Sequence, residues 1–447
     1  MMSKTDELLR NEKVVWKKLG DVSIISKGKQ FNKRDMLENG KYPVINGGVL
    51  PSGYVDVFNS IENTITVSQG GASAGFVNFI EERFWLGAHA FSVIPNIDVI
   101  KSYDYDYNYF NRFIFHILKM KQCYLQESKE GAGIPSVSKD KLAHLEIPLT
   151  TKETQEKIVK ILDKFTNYIT ELQAELQART KQYKYYRDLL LSEEYLKNLS
   201  EKIAMRNKYK IKLTTLGEIG LFTRGNGLQK KDFISQGNPV IHYGQIYTKF
   251  GFEAEKTISF VSDGVFSKLK KAKANDILIA TTSENVEDVG KSVVWLGSEE
   301  IGFSGDMYSY RTNENSKFLA YYFQTNQFQR QKEKKVTGTK LIRIHGDDMA
   351  KITVSIPPIE IQNIVVKILD KFQSLLSDTQ GLLPQEIEQR QKQYEYYREK
   401  LLTFNTEDEI MLRQTDRQTD RQTDRQTDRQ TDRQTDRQTD RQTDRQR

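Results

Sequence analysis

The strongest constraint on the fold is that this chain of 447 residues carries one pattern twice. VKILDKF occurs at Val159–Phe165 and again at Val366–Phe372, 207 residues later. QYKYYRDLLL at Gln182–Leu191 returns as QYEYYREKLL at Gln393–Leu402, 211 residues later. Because two long matches at nearly the same offset do not arise by chance, they indicate an internal duplication.

The duplication extends beyond these helical segments. LGDVSIISKG at Leu19–Gly28 corresponds to LGEIGLFTRG at Leu216–Gly225, and Gly131–Leu145 corresponds to Gly338–Ile352. The long segments between these anchors do not match. The chain is therefore expected to contain two similar scaffolds with dissimilar surfaces, in the order variable domain, helix, variable domain, helix.

The repeated helical segments, here called the arms, have a heptad pattern. In residues 158–190 apolar side chains recur at alternating steps of four and three, with Arg179 as the one polar position. Residues 365–401 follow the same pattern, apart from one extra four-residue step beside Pro384. This spacing favours pairing of the two arms in an antiparallel coiled coil, with each arm spanning roughly 50–60 Å. The alternative is that each arm packs on its own variable domain.

The expected fold class is α/β (α+β): two tandem domains related by a pseudo-twofold axis and separated by two long helices. Short strands are predicted around Ile65 and Val67 and at Ile277–Ala280, and amphipathic helices around Phe113 and Phe318. The predicted boundaries are an N-terminal segment at 1–13, variable domains at 14–150 and 208–358, arms at 151–207 and 359–404, and a tail at 405–447.

Composition excludes several classes of protein. The formal net charge is +7, which permits a nucleic-acid partner without indicating one. The single cysteine, Cys123, excludes a disulfide framework and a cysteine-based zinc site. With no signal-peptide pattern at the start and no run of about 18 apolar residues, we expect a cytoplasmic protein without a membrane association.

Motifs for catalysis and cofactor binding are missing. The chain has no phosphate-binding loop, dinucleotide fingerprint or nucleophile elbow. Its five histidines are not paired at metal-ligand spacing, and each is interpreted as a surface or loop polar group. We therefore expect no catalytic residues, no metal and no cofactor on this chain.

The variable domains contain polar, glycine-rich and basic loops in both halves. Their side chains are of the types that read base edges or bind phosphates, although each loop taken singly is more often an ordinary turn. The candidate DNA-binding residues are Lys27, Lys29, Asn46, Gln69, Ser73, Arg224, Asn226, His242, Thr282, Lys340 and Arg343.

From Arg413 onward the tail consists of eight copies of Arg-Gln-Thr-Asp followed by a final Arg-Gln-Arg. Without apolar residues this segment cannot bury a core, so it is expected to be disordered. A repeat of the tetranucleotide AGAC encodes this tetrapeptide. We therefore hypothesise a tetranucleotide tract in the gene, where gain or loss of one unit shifts the reading frame.

The repeated motifs resemble those of specificity subunits of Type I restriction-modification systems. The resemblance covers residues 14 to about 404. It is carried by Ile356-Pro357-Pro358 before VKILDKF, by GLLPQEIEQRQKQYEYYREKLL at Gly381–Leu402 and by ITELQAELQARTKQYKYYRDLLL at Ile169–Leu191.

The resemblance implies that each variable domain is a target-recognition domain for one half of a bipartite site in double-stranded DNA. It implies that the helices set the length of the unread DNA spacer between the two half-sites. It further implies partners: two methyltransferase subunits and, through the complex, motor-endonuclease subunits. S-adenosylmethionine, ATP and Mg are then expected on those partners, and Tyr185, Tyr186, Tyr396 and Tyr397 of the arms are the candidate partner-binding residues.

Two alternatives from other classes stay open on the sequence. One is a phase-variable coiled-coil interaction protein whose domains bind a ligand other than DNA. The other, a fused endonuclease-methyltransferase, is disfavoured by the missing cofactor and nuclease motifs. Salt-dependent, sequence-specific duplex binding distinguishes the first alternative from a DNA-recognition subunit.

Overall fold

The computed structural model describes residues 8–9, 12–127, 136–203 and 210–404. The predicted tail at 405–447 lies outside the described residues. So do parts of the predicted N-terminal segment and residues 204–207 of the predicted first arm.

The chain divides into two compact units, and the boundary between them falls inside each of the two long helices. One unit comprises Met1–Leu172 and Gln385–Arg447, and the other comprises Gln173–Pro384. Each unit therefore contains one variable domain together with a part of each arm. The long helices begin at Lys152 and Ile359, next to the predicted domain ends at 150 and 358.

Within its described residues, the first variable domain is made of short strands and five α-helices. Its strands are β1 Val15–Lys18, β2 Ser23–Lys27, β3 Tyr42–Ile45, β4 Tyr54–Val55, β5 Thr64–Ser68, β6 Val77–Ile80, β7 Trp85–Leu86, β8 Ala90–Pro95 and β9 Glu146–Leu149. Its helices are α1 Leu19–Val22, α2 Ile97–Tyr103, α3 Tyr107–Met120, α4 Gln122–Glu127 and α5 Lys139–Ala143. The first arm follows as α6 Lys152–Leu190, and the shorter α7 Glu193–Ile203 comes after it.

The second variable domain repeats this order with additions. Its strands are β10 Lys212–Thr215, β11 Gly220–Arg224, β12 Asn238–Ile241, β13 Glu253–Ala254, β14 Ser259–Val261, β15 Lys271–Ala272, β16 Ile277–Ala280, β17 Thr282–Ser283, β18 Ser292–Trp295, β19 Ile301–Phe303, β20 Met307–Thr312, β21 Ile342–Arg343 and β22 Thr353–Ile356. Its helices are α8 Leu216–Ile219, α9 Tyr243–Thr248, α10 Asp263–Phe266, α11 Ser316–Phe323, α12 Asn326–Glu333 and α13 Gly346–Ala350, and the second arm is α14 Ile359–Leu402.

The sheets of the two domains have matching topologies. The main sheet has the order β2-β8-β5-β6 in the first domain and β11-β20-β16-β18-β13 in the second. Each domain also has a parallel pair, β3 with β7 and β12 with β19, and an antiparallel pair that joins its ends, β1 with β9 and β10 with β22. The prediction of two tandem α/β (α+β) domains is confirmed.

Local sequence explains the longer helices of the variable domains. The side chain of Asp106 accepts hydrogen bonds from the backbone N–H groups of Asn108 and Tyr109 and so caps α3. Asn315 caps α11 in the same way through the N–H of Phe318. In both domains a short polar side chain thus starts the helix that covers the main sheet.

Residues of the arms pack both on a variable domain and on the other arm, the two arrangements that the heptad pattern left open. Ile158 and Leu162 of α6 and Leu401 of α14 belong to the core of the first variable domain. The arms also contact each other in this unit: the rings of Phe165 and Tyr397 stack 5.3 Å apart, and Arg390 lies over the ring of Tyr168 at 5.2 Å. Because the numbers rise along α6 while they fall along α14, the two segments are antiparallel.

The interpretation of one histidine is wrong. His116 is not a surface or loop group: it is fully buried in α3, where aromatic and aliphatic neighbours exclude water. Burial lowers its pKa to about 4, although the hydrogen bond to Asp163 opposes this shift. The strand predicted around Ile65 and Val67 is present as β5, a central strand with all five residues buried.

Candidate nucleic-acid interface

Loops at one end of the first main sheet are joined by backbone hydrogen bonds. The N–H of His89 donates to the side-chain oxygen of Asn46 at 2.8 Å, and the N–H of Gln69 donates to the carbonyl of His89 at 2.8 Å. The N–H of Gly28, just after β2, donates to the carbonyl of Ala90 at 3.1 Å. These bonds bring four segments that are separated in the sequence into one cluster, here called loop cluster 1 (residues 27–29, 46–48, 69–75 and 87–90).

The five residues predicted to bind DNA in this half all lie in loop cluster 1, with different exposure. Lys27 and Lys29 are exposed, whereas Asn46, Gln69 and Ser73 are half-buried. Asn46 holds the backbone of His89, so its oxygen has a structural role. Gln69 aligns the loop through its backbone, and its side-chain oxygen is buried without a hydrogen-bond partner among the described residues. The lysines are therefore the more accessible members of this set.

The sequence interpretation missed His89 as a candidate contact. Its side chain is exposed, while its backbone is held between Asn46 and Gln69. The available signal was a Gly-Ala-His connection between two short strands, β7 and β8. A polar side chain on a backbone fixed from both sides is pre-organised for recognition.

The second domain forms an equivalent group of loops, here called loop cluster 2 (residues 224–229, 242–245, 281–283, 304–306 and 338–345). Arg224 is exposed, and its guanidinium donates to the carbonyl of Gly305 at 3.3 Å. The amide of Asn226 donates to the carbonyl of Lys268 at 2.7 Å. A cleft of about 410 Å³ lies here, lined by Arg224, Gly225, Gly227, Leu228, Gln229, His242, Tyr243, Ser304, Gly305 and Asp306.

Strand pairing brings the remaining predicted residues to loop cluster 2. Thr282 in β17 pairs with Arg343 in β21. The side chain of Arg343 is exposed, as is that of Lys340 in the preceding turn. Thr282, however, is only 5% exposed, so its hydroxyl does not lie on the surface. Asp306, which was not predicted, lines the cleft and adds a negative charge to it.

His242 is held in a defined protonation state. Its Nδ1 accepts the backbone N–H of Gly244 at 3.2 Å as the cap of α9. Burial, followed by the charge of Lys230, lowers the pKa of His242. The neutral ring therefore carries its proton on Nε2, where it can donate to an acceptor such as a purine edge.

Each of the two loop clusters contains a close backbone contact of the same kind, which only glycine permits. A Cβ added to Gly28 would lie 2.2 Å from the carbonyl oxygen of Gly87, and one added to Gly225 would lie 2.0 Å from that of Ser304. These glycines end the repeated LGDVSIISKG and LGEIGLFTRG segments. The same construction therefore presents different side chains in the two halves.

The four predicted partner-binding tyrosines fall into two pairs. Tyr186 and Tyr397 each stack on a phenylalanine of the opposite arm within their unit, with ring centroids 5.7 and 5.3 Å apart. Tyr185 and Tyr396 are the adjacent positions, and they are 63% and 46% exposed. The second pair is the more exposed of the two, since Tyr186 of the first pair is 38% exposed.

Within the described residues, no group of three or more His, Cys, Asp or Glu side chains is arranged to bind a metal ion. Likewise, none of the helices in the described ranges combines the length and the apolar composition needed to cross a bilayer.

The family model for the Type I restriction modification DNA specificity domain matches residues 11–182 and 208–389. This chain therefore belongs to the family of Type I restriction-modification DNA specificity proteins. The two matched stretches follow the duplication seen in the sequence and in the sheets.

Individual relatives have consistent names. A Haemophilus influenzae Rd protein named as a type I restriction enzyme specificity subunit is 28% identical over 421 residues, covering 90% of this chain and 98% of the relative. The EcoR124I/EcoR124II specificity subunit of Escherichia coli is 32% identical over 254 residues, covering 56% of this chain and 59% of the relative. The crystal structure of a Type I system S subunit from M. genitalium matches with a TM-score of 0.51 at 20% identity, covering 90% and 99% of the two chains, which supports the fold.

Proposed function

We propose that each variable domain reads one half of a bipartite site in double-stranded DNA, and that the paired arms act as a coiled-coil spacer that sets the unread gap. The observation that carries this proposal is the pair of loop clusters. They occupy equivalent positions on two matching sheets, yet they present Lys27, Lys29 and His89 in one half and Arg224, His242 and Arg343 in the other. Equivalent positions with different side chains are suited to reading two different sequences.

In this proposal the chain itself is not an enzyme. Two methyltransferase subunits would carry S-adenosylmethionine and methylate adenine, and motor-endonuclease subunits would carry ATP and Mg. Tyr185 and Tyr396 support a repeated partner contact, because they are exposed and occupy equivalent positions 211 residues apart. The cytoplasm is the compartment in which such a complex meets DNA.

Replacing Arg343 by Ala tests loop cluster 2. The exposed guanidinium is suited to a bidentate contact with guanine or to a phosphate contact, so its loss should weaken binding by about 1–3 kcal/mol, on the order of 10- to 100-fold in Kd. The measurement is duplex binding at fixed salt by the complex with its methyltransferase partner.

Arg330→Ala is the matched control, because Arg330 is an exposed arginine of the same unit on α12, outside loop cluster 2. The affinity of the Arg330→Ala variant for the duplex should stay within about twofold of that of the unchanged protein. Equal effects of the two substitutions, or no effect of Arg343→Ala, would argue against this loop cluster as the DNA-reading surface.

We also propose that the gene is phase-variable through its Arg-Gln-Thr-Asp tract. The period of four residues is the one that a four-base repeat must produce. The expected result of sequencing the gene is AGAC repeated without interruption across codons 413–444. Mixed codons at equivalent positions would refute slippage of a tetranucleotide tract as the switch.

A further inference from the structure

A cluster of polar groups joins the first variable domain to both arms. Asp163 of α6 accepts hydrogen bonds from Arg112 at 2.5 and 3.0 Å and from Nε2 of His116 at 2.8 Å. The other ring nitrogen of His116 lies 2.9 Å from the hydroxyl of Tyr394 on α14. Because burial keeps His116 neutral, Nε2 donates to the carboxylate and Nδ1 accepts from the tyrosine.

The second unit has a similar contact between its domain helix and an arm aspartate, built from different residues. Asp370 of α14 accepts a hydrogen bond from Nζ of Lys317 and one from the hydroxyl of Tyr321, both at 2.7 Å. Asp163 and Asp370 are the same position of the repeated VKILDKF. Their partners belong to segments that do not match between the two halves.

The domain side of each contact follows one rule. Arg112 and His116 are four residues apart on α3, and Lys317 and Tyr321 are four residues apart on α11. Residues at this spacing lie on one face of a helix. In both units a cation and a ring donor on that face therefore meet one aspartate of an arm. Because the chemistry differs while the geometry is kept, the contact has a use common to both halves.

We propose that Asp163 and Asp370 are positioning residues that fix the orientation of each recognition domain on the arms of its own unit, through a cation and a ring donor at positions i and i+4 of the domain helix. This inference rests on the proposed function, since it assigns the contact a role in bipartite DNA binding. None of the hydrogen bonds described above at Asp163, His116 and Asp370 involves a residue of loop cluster 1 or loop cluster 2.

The expected consequence concerns simultaneous binding of two half-sites. Once one domain is bound, the second binds at an effective concentration that depends on how well its orientation matches the DNA. A loosened domain still reads its own half-site, but it meets that half-site less often in the correct orientation. Loss of the contact should therefore affect the complete site and not the isolated half-site.

The experiment uses the complex with its methyltransferase partner and two duplexes: one with the complete methylated motif and one with only the half-site read by the second domain. Tyr321→Phe removes one hydroxyl and keeps the ring, and Asp370→Ala removes the whole acceptor. We expect Kd for the complete site to rise on the order of 3-fold for Tyr321→Phe and 10-fold or more for Asp370→Ala, with Kd for the half-site within about twofold.

Glu175→Gln is the control, because Glu175 is also an arm carboxylate paired with a cation, but its partner Arg179 lies on the same helix and both side chains are about half exposed. It should leave both affinities unchanged. A parallel fall in both affinities for Tyr321→Phe and Asp370→Ala would identify a purely structural role and overturn the proposal, as would no change in either. If the unchanged protein binds no bipartite duplex, the proposed function fails, which is a different result from a failure of the positioning role of Asp163 and Asp370.

Rescue in the first unit provides a second test. The double substitution Arg112→Lys with His116→Tyr installs the residue types of the second unit opposite Asp163, whereas Arg112→Ala with His116→Ala removes both donors. The exchanged pair should retain complete-site affinity within about threefold, and the alanine pair should lose on the order of 10-fold. Equal losses for the two double variants would overturn the rule of a cation and a ring donor.

Discussion

Deleting Gln173–Leu176 is expected to shorten the unread gap of the bipartite site by about two base pairs, with both half-sites unchanged. The four residues lie within the continuous helix α6 and contribute about 6 Å to its length, which is just under two base-pair steps of B-DNA. They belong to neither loop cluster, so the sequences that are read should stay the same. Sequencing of methylated adenines in cells that express the shortened chain and its methyltransferase partner measures the gap directly.

A deletion of equal length in the tail is the control. Arg413–Asp416 is one Arg-Gln-Thr-Asp unit outside the arms. Its removal should leave the gap and both half-sites as they are. An unchanged gap after deletion of Gln173–Leu176 would contradict the spacer role of the arms, and a changed half-site would contradict the separation of reading from spacing.

Replacing Asp276 by Ala is expected to destabilise the second unit by about 2–4 kcal/mol, because the buried hydroxyl of Ser309 loses its acceptor and the half-exposed guanidinium of Arg311 loses its ion-pair partner. The side chain of Asp276 is only 2% exposed, and it accepts hydrogen bonds from the guanidinium of Arg311 at 2.8 and 2.6 Å, from the hydroxyl of Ser309 at 3.0 Å and from the N–H of Lys273 at 2.9 Å. Alanine would leave these donors without their acceptor in and beside the main sheet. Chemical denaturation of the isolated chain measures the loss, provided that the unfolding of the two units is resolved.

Glu300→Gln is the matched control. Glu300 forms an ion pair with the same Lys273 at 3.1 Å, but both side chains are at least half exposed. Its loss should cost at most about 1 kcal/mol. Similar losses of unfolding free energy for the two variants would mean that the buried hydrogen bonds of Asp276 contribute no more to stability than an exposed ion pair does.

The duplication made the architecture predictable from the sequence. Matching anchors at Leu19–Gly28 and Leu216–Gly225 end in glycines that make the same close contact, and β16 at Ile277–Ala280 lies where its apolar run predicted. Periodicity also identified the arms, because a heptad pattern depends only on local spacing.

The polar contacts between elements were not predictable in the same way. His116 meets Asp163 and Tyr394, which follow it by 47 and 278 residues, and a single sequence does not reveal such pairings. Thr282 was expected on the surface because its loop is polar, but β17 turns its side chain into the domain. His89 escaped notice because its backbone is fixed by loops distant in the sequence.

Methylation-sensitive sequencing of a genome with the partner methyltransferase, with and without this gene, tests the central claim most directly. The chain itself should be verified as produced in the strain that carries the gene. We expect a split adenine-methylated motif, two short half-sites separated by an unread gap, that appears only when the chain is present. The same methylation pattern in both strains, with the chain and its partner present, would contradict the assignment of this chain as the subunit that specifies the DNA site.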